Sequence, residues 1–254
     1  MSAASRRYPA VSAATLALIC LLAAPQTFAY WDFRPTPLEW ASWPEYCQAQ
    51  YQWVNAGYYR EYASKFSEGT VDSWRSRVGP DTFIHLHHYC ASVIWLNQAR
   101  VTSDKAQRGH LLGNAYDNAL YTFSRADSSG PLYPTMAGTL AQIQIEQGHA
   151  EDAMETLNAS IQAQPMQPQP YLMLALAYRK QGHLDRAKEV LDRAVGIVGT
   201  QSMQLQYNLG LINLEMGNVD AAVENAKRVY EKDYPLLGLQ NKLKKAGRWP
   251  PPPT

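Results

Sequence analysis

Aligned on their glycines, three segments carry one pattern: IEQGHAEDAMETL around Gly148, YRKQGHLDRAKEVL around Gly182 and LEMGNVDAAVENA around Gly217, at spacings of 34 and 35 residues. Ala153, Ala187 and Ala222 each follow their glycine by five residues, with Leu157, Leu191 and Ala226 four further on. Upstream stand the pairs Leu140/Ala141, Leu174/Ala175 and Leu209/Gly210. Apolar and small positions at helical spacing, repeated at a fixed period, predict pairs of amphipathic helices that bury their faces only by stacking on neighbours. Each glycine is expected to take positive φ and end the first helix of its pair. The small residues flanking the turn let the two helices approach closely. Pro165 and Pro235 fall at unit ends, where a missing N–H is tolerated.

The middle unit supplies Tyr171, Leu174, Ala175, Tyr178, Gly182, Ala187, Leu191 and Ala194. This set resembles the tetratricopeptide repeat, whose pattern runs W-x2-L-G-x2-Y, A-x3-F, P. On that frame the units span 134–167, 168–201 and 203–236. The outer two depart from it, with Gln144 and Asn213 in place of the aromatic before the turn. The resemblance implies an all-α, right-handed helical solenoid. Together, the leader, WPEYC, HLHHYC, the repeats and a YPLLGLQNKLKKAG ending resemble exported tetratricopeptide proteins of Gram-negative bacteria. That wider resemblance implies no defined activity.

The N-terminus reads as a secretory leader over residues 1–29: Arg6 and Arg7, an apolar run from Val11 to Ala24, then Thr27-Phe28-Ala29 at the cleavage site. The run is shorter than the about 20 residues that span a bilayer. The expectation is a periplasmic or secreted mature chain without stable membrane insertion. Without Arg6 and Arg7 it holds 21 basic and 22 acidic residues, a balance that argues against nucleic acid as ligand. Residues 30–80 are expected to form an aromatic-rich helical cap, with Trp43, Cys47, Tyr51, Val54 and Tyr58 on one stripe. A short helix through Val71–Val78 stops at Gly79-Pro80, and Asp81 is expected to cap a helix reaching about Arg100. With a helix at about 105–124, this makes 81–133 a degenerate first repeat and loop. Leu236, Leu239 and Leu243 predict a capping helix over 237–247, ahead of a Pro-rich tail, 248–254.

The stretch Ile84–Cys90, IHLHHYC, holds half of the chain's six histidines. On a helix, Cys90 joins the apolar stripe of Leu86, Tyr89, Val93 and Leu96. His85 and His88 share another face, and His87 lies roughly 100° around from His88. The three therefore do not converge from this helix alone, and His85 with His88 is the candidate metal pair, short of the donors a closed zinc site needs. Cys47 and Cys90 sit on stripes of elements expected to pack together. They read as a disulfide in an oxidising compartment, with two buried free thiols as the alternative. The sequence contains no Gly-rich phosphate loop, G-x-S-x-G, HExxH or CxxC. The reading is non-enzymatic and without cofactor.

The family resemblance implies a concave surface lined by the first helices, which takes a peptide or helix of a partner. Its lining maps onto Gln142, Ile145 and Glu146; Leu172, Leu176, Arg179 and Lys180; and Tyr207, Leu211, Leu214 and Glu215, with Gly138 at its start. The lysine and asparagine of a carboxylate clamp are absent at the matching positions. The leading expectation is an interaction scaffold or assembly factor. Metal handling through His85 and His88 is the alternative, as is a repeat protein that associates with itself as a homo-oligomer.

Overall fold

Each repeat is folded at a central turn whose geometry is local. A computed structural model describes residues 33–55 and 65–249. In it Gly148, Gly182 and Gly217 take φ of +90°, +81° and +82°. The next N–H donates back to the carbonyl five residues earlier: His149 to Gln144 (2.8 Å), His183 to Tyr178 (2.9 Å) and Asn218 to Asn213 (2.8 Å). This is a Schellman closure, which an L side chain at the glycine position would strain. The turns join α6 (Tyr133–Gln147) to α7 (Ala150–Ala163), α8 (Pro168–Lys180) to α9 (Leu184–Val198), and α10 (Met203–Glu215) to α11 (Val219–Tyr230). Pro134 and Pro168 stand in the first turns of α6 and α8, where the lost donor costs nothing.

The repeated small residues are buried as their spacing predicts. Ala153, Ala187 and Ala222 lie at the helix–helix contact, and one apolar cluster runs from Ala141 through Leu174 and Leu191 to Ile212. The departures at Gln144 and Asn213 have a partner on the second helix. Gln144 Oε1 accepts from Thr156 Oγ1 (3.0 Å). Asn213 Nδ2 donates to Asn225 Oδ1 (3.0 Å), whose own Nδ2 donates to Gln206 Oε1 (2.8 Å). The middle unit has Tyr178 and Val190 at these two positions, so each polar residue comes with a compensating one, as burial requires.

Upstream, α4 (Pro80–Val101) pairs with α5 (Lys105–Phe123), which packs on α6. Asp104 caps α5 by accepting from Gln107 N (2.9 Å). Asp81 does not cap α4. The cap position belongs to Gly79 (φ +93°), which also ends α3 (Glu68–Val78) by donating to Arg75 O. Pro80 disfavours helical backbone in the residue before it, so one glycine serves both helices and Asp81 sits inside the first turn. The helix expected at Val71–Val78 starts earlier, at Glu68, because Ser67 caps it.

The N-terminal cap adds α1 (Pro37–Ser42), closed by a Thr36/Glu39 capping box, and α2 (Glu45–Asn55). Trp40, Trp43 and Tyr51 are buried with ring centroids 5.4–6.0 Å apart. The buried stripe ends there. Val54 is 38% exposed, and Tyr58 lies outside the described residues, as do the stretch expected to be a leader and the end of the Pro-rich tail.

At the other end α12 (Gly238–Lys245) buries Leu239 and Leu243. Leu236 precedes the helix and is 51% exposed, unlike its expected place on the stripe. Tyr230 fixes the approach to α12: its hydroxyl donates to Leu236 O (2.8 Å) and accepts from Gln240 N (3.0 Å). These helices fall in one compact unit, Pro35–Thr254. Among the described residues there is no strand, and no helix is long and apolar enough to cross a membrane.

Candidate protein-binding groove

The first helices of successive pairs, α6, α8 and α10, lie side by side. The residues assigned to the groove from the sequence divide into three groups. Ile145 and Leu172 are half-buried on the shared core cluster, while Leu176 is 36% exposed. Glu146, Arg179 and Glu215 are engaged in ion pairs. Glu146 accepts from Arg100 Nε (2.8 Å) and Arg108 Nη2 (3.1 Å). Arg179 holds Glu215 through both nitrogens of its fork (2.5 and 2.6 Å), with Lys242 at 3.8 Å. That pairing lowers the Glu215 carboxyl and raises the Arg179 guanidinium. Lys180 is exposed. The third group, Tyr207, Leu211 and Leu214, packs against the cluster of Leu239 and Leu243. The capping helix covers this part of the surface.

The open concavity therefore lies nearer the N-terminus than the family pattern implies. A pocket of about 240 Å³ sits where α4, α6 and α8 meet. Val93, Leu96 and Met173 supply its apolar lining; Asn97, Arg100, Thr135, Thr139, Gln142 and Gln169 supply the polar one, with Gly138 between. Of the residues assigned from sequence, only Gln142 and Gly138 belong to it. Those on α4 escape a reading by repeat position because the degenerate repeat offers no frame on which to number groove positions. One signal is present: Thr135, Gly138 and Thr139 are small residues on one face of α6, where α8 has Leu172 and Met173. Tyr89 on α4 braces the arrangement, its hydroxyl 3.2 Å from Thr139 Oγ1.

Cys47 on α2 and Cys90 on α4 are joined by a disulfide with Cα atoms 5.7 Å apart. Trp43 Nε1 donates to Cys90 O (3.0 Å) alongside it. The three histidines of this helix are all engaged. Gln50 Nε2 donates to His87 Nδ1 (3.0 Å), His88 Nδ1 donates to Asn118 Oδ1 (2.6 Å), and Tyr121 Oη lies 3.3 Å from His85 Nδ1. His87 and His88 are closer than their helical angle implies, with ring centroids 4.3 Å apart. The angle fixes the Cβ directions, and the rings then lean together. Burial, reinforced by the charges of His88 and His85, pushes His87 down to about 3. Burial also lowers His85 and His88. Among the described residues no three of His, Cys, Asp and Glu converge on a point where an ion could sit.

Two family models described as tetratricopeptide repeat match the chain, one over residues 111–171 and the other over 168–197 and 204–232. The first match starts inside α5. No curated protein matches in sequence. Among solved structures, the chain is similar to the tetratricopeptide protein TTC0263 of Thermus thermophilus, at 17% identity and a TM-score of 0.48, covering 79% of this chain and 96% of that one. It is also similar to MamA of Desulfovibrio magneticus RS-1 (16% identity, TM-score 0.44, 73% and 92% coverage). A further MamA structure gives 13% identity, a TM-score of 0.44, and 80% and 96% coverage. With the glycine-closed helix pairs, the buried alanines and the matched repeats all in register, the chain carries tetratricopeptide repeats over residues 111–197 and 204–232.

Proposed function

We propose that the chain is a non-enzymatic, exported scaffold that holds a peptide or helix of a partner protein against α4, α6 and α8, in the periplasm or beyond. A tetratricopeptide array is a protein–protein interaction scaffold, and the pocket beside Gln142 is the observation that carries the finer reading. It joins an apolar floor to a polar rim, and the exposed Leu176 stands one turn along α8 from its Met173. The leader over residues 1–29 and the Cys47–Cys90 bridge favour an oxidising compartment.

A photo-crosslinking residue at Gln142, in cells, tests the groove, with the same residue at exposed Glu189 on α9 as control. A partner captured from position 142, absent from 189 and lost with Leu176→Glu, is the expected outcome; identical capture from both positions sinks the reading. N-terminal sequencing of the purified chain tests export, and a first residue other than one near Tyr30 counts against it.

A further inference from the structure

We propose that the pocket between α4, α6 and α8 takes a partner segment that sets an acidic side chain beside a large apolar one. This rests on the groove reading above and names the chemistry of its occupant. Among the described residues, Arg100 is the only charged side chain lining the pocket; Asn97, Gln142 and Gln169 are neutral. Glu146 is not part of the lining. It engages Nε of Arg100 and is shared with Arg108, so two guanidiniums stand against one carboxylate and one positive charge is uncompensated.

The same imbalance recurs along the array. Glu215 lies between Arg179 and Lys242. Lys180, at the repeat position that Glu146 and Glu215 hold in the adjoining units, is exposed and forms no ion pair with another described residue. The nearby carboxylates Glu151, Asp152 and Asp185 belong to the first turns of α7 and α9, across the glycine turns and outside the pocket. A carboxylate arriving at Arg100 meets a guanidinium able to donate more than one charge-assisted hydrogen bond. An apolar neighbour then reaches Val93, Leu96 and Met173. About 240 Å³ is room for side chains, below the roughly 300 Å³ at which drug-sized ligand pockets begin. A segment of protein is the occupant that the groove reading above supplies.

The test uses the mature chain and two synthetic amphipathic peptides, amidated at the C-terminus, with the same leucine face and either Glu or Lys on the polar face. Fluorescence anisotropy is expected to show the Glu peptide binding about tenfold tighter, with the gap shrinking as salt is raised. Arg100→Gln is expected to remove most of that gap. Because Arg100 also holds Glu146, Lys180→Glu is the second variant, expected to weaken the Glu peptide about threefold. Circular dichroism confirms that both variants fold. Equal binding of the two peptides, or a gap unchanged in both folded variants, overturns the acidic occupant while leaving the crosslinking result at Gln142 standing. Binding only when the peptide carries a free C-terminal carboxylate overturns the side-chain source. A single-stranded DNA oligonucleotide that displaces the Glu peptide at equal concentration overturns a protein segment as occupant.

Discussion

The two ends of the array face the same problem and solve it with different physics. A terminal repeat exposes an apolar face that must be covered. At the C-terminal end one helix suffices, because α12 takes the place of a next first helix. Gly210 occupies the position that is Ala141 and Ala175 in the earlier units, and Leu239 fills the space this opens. A Cβ added at Gly210 would lie 2.5 Å from Leu239 Cδ2 and 3.0 Å from Asn225 Cβ. At the N-terminal end α4 has no such socket. Its cover is built from large rings, a covalent bridge and a row of buried polar groups, with Gln52 pinning the next segment through both Phe66 N and Phe66 O (2.9 Å each). Shape complementarity is enough where the cover imitates a repeat, and a cover without that geometry is tied on chemically.

Breaking the bridge gives the largest expected effect. Cys47→Ser/Cys90→Ser reopens a loop with a sequence separation of 43. By loop entropy this costs about 4 kcal/mol, measured as the fall in denaturant midpoint. The loss is expected to concentrate at the N-terminal end, with hydrogen exchange rising in α2 and α4 before α10. Uniform loss of protection would show that the two ends are not separate.

At the other end, Leu239→Ala is expected to cost about 3 kcal/mol through the cavity it leaves. Gly210→Ala alone overpacks the same site and costs about 1–3 kcal/mol. The double variant Gly210→Ala/Leu239→Ala should cost less than the sum, since the new methyl enters the vacated space. Additive losses would remove the socket from the comparison.

Acid should distinguish the ends next. An unfolded histidine binds its proton at about 6.5, whereas folded His87 does so only at about 3. Between those values the unfolded chain holds more protons, so stability is full above pH 6.5 and falls as pH drops. For His87 alone the loss at pH 5 is about 2 kcal/mol. His85 and His88 shift in the same direction, with Arg125 adding repulsion and Asp81 partly offsetting it for His85. No histidine lies in α10, α11 or α12. Thermal melts at pH 7 and 5 should therefore differ, and His87→Gln should reduce the difference; a gap as large in that variant would exclude His87 as its source.

The smallest effect is expected from charge at the C-terminal cap. Lys242 stands 3.8 Å from Glu215 and its side chain is half exposed. Lys242→Gln should change stability by less than about 0.5 kcal/mol. A larger loss would mean that α12 is held by charge as well as by its leucines.

Much of this fold is legible in residue order because its determinants are local. A helix followed by a glycine turn needs only bonds spanning a few residues, such as His183 N to Tyr178 O, and the period of 34 then dictates stacking. Helix starts are less legible. Gly79 displaces Asp81 as the cap because Pro80 constrains the residue before it. The groove is legible only as a family pattern. Numbering by repeat position marks Tyr207, Leu211 and Leu214 as lining, yet it carries no information about the helix that folds over them. Nor does it reach α4, whose Arg100 meets Glu146 across 46 residues and whose Tyr89 meets Thr139 across 50.

Residue order alone specifies the all-α repeat, its turns and its buried small residues, and marks Cys47 and Cys90 as candidates for a bridge, while the packing of α2 on α4 brings the two together. Which stretch of the concave surface stays open, and which charges on it are already matched, is set only once the helices are assembled. The reason is range: turns and faces follow from neighbours along the chain, whereas coverage and charge balance depend on side chains brought together from distant helices.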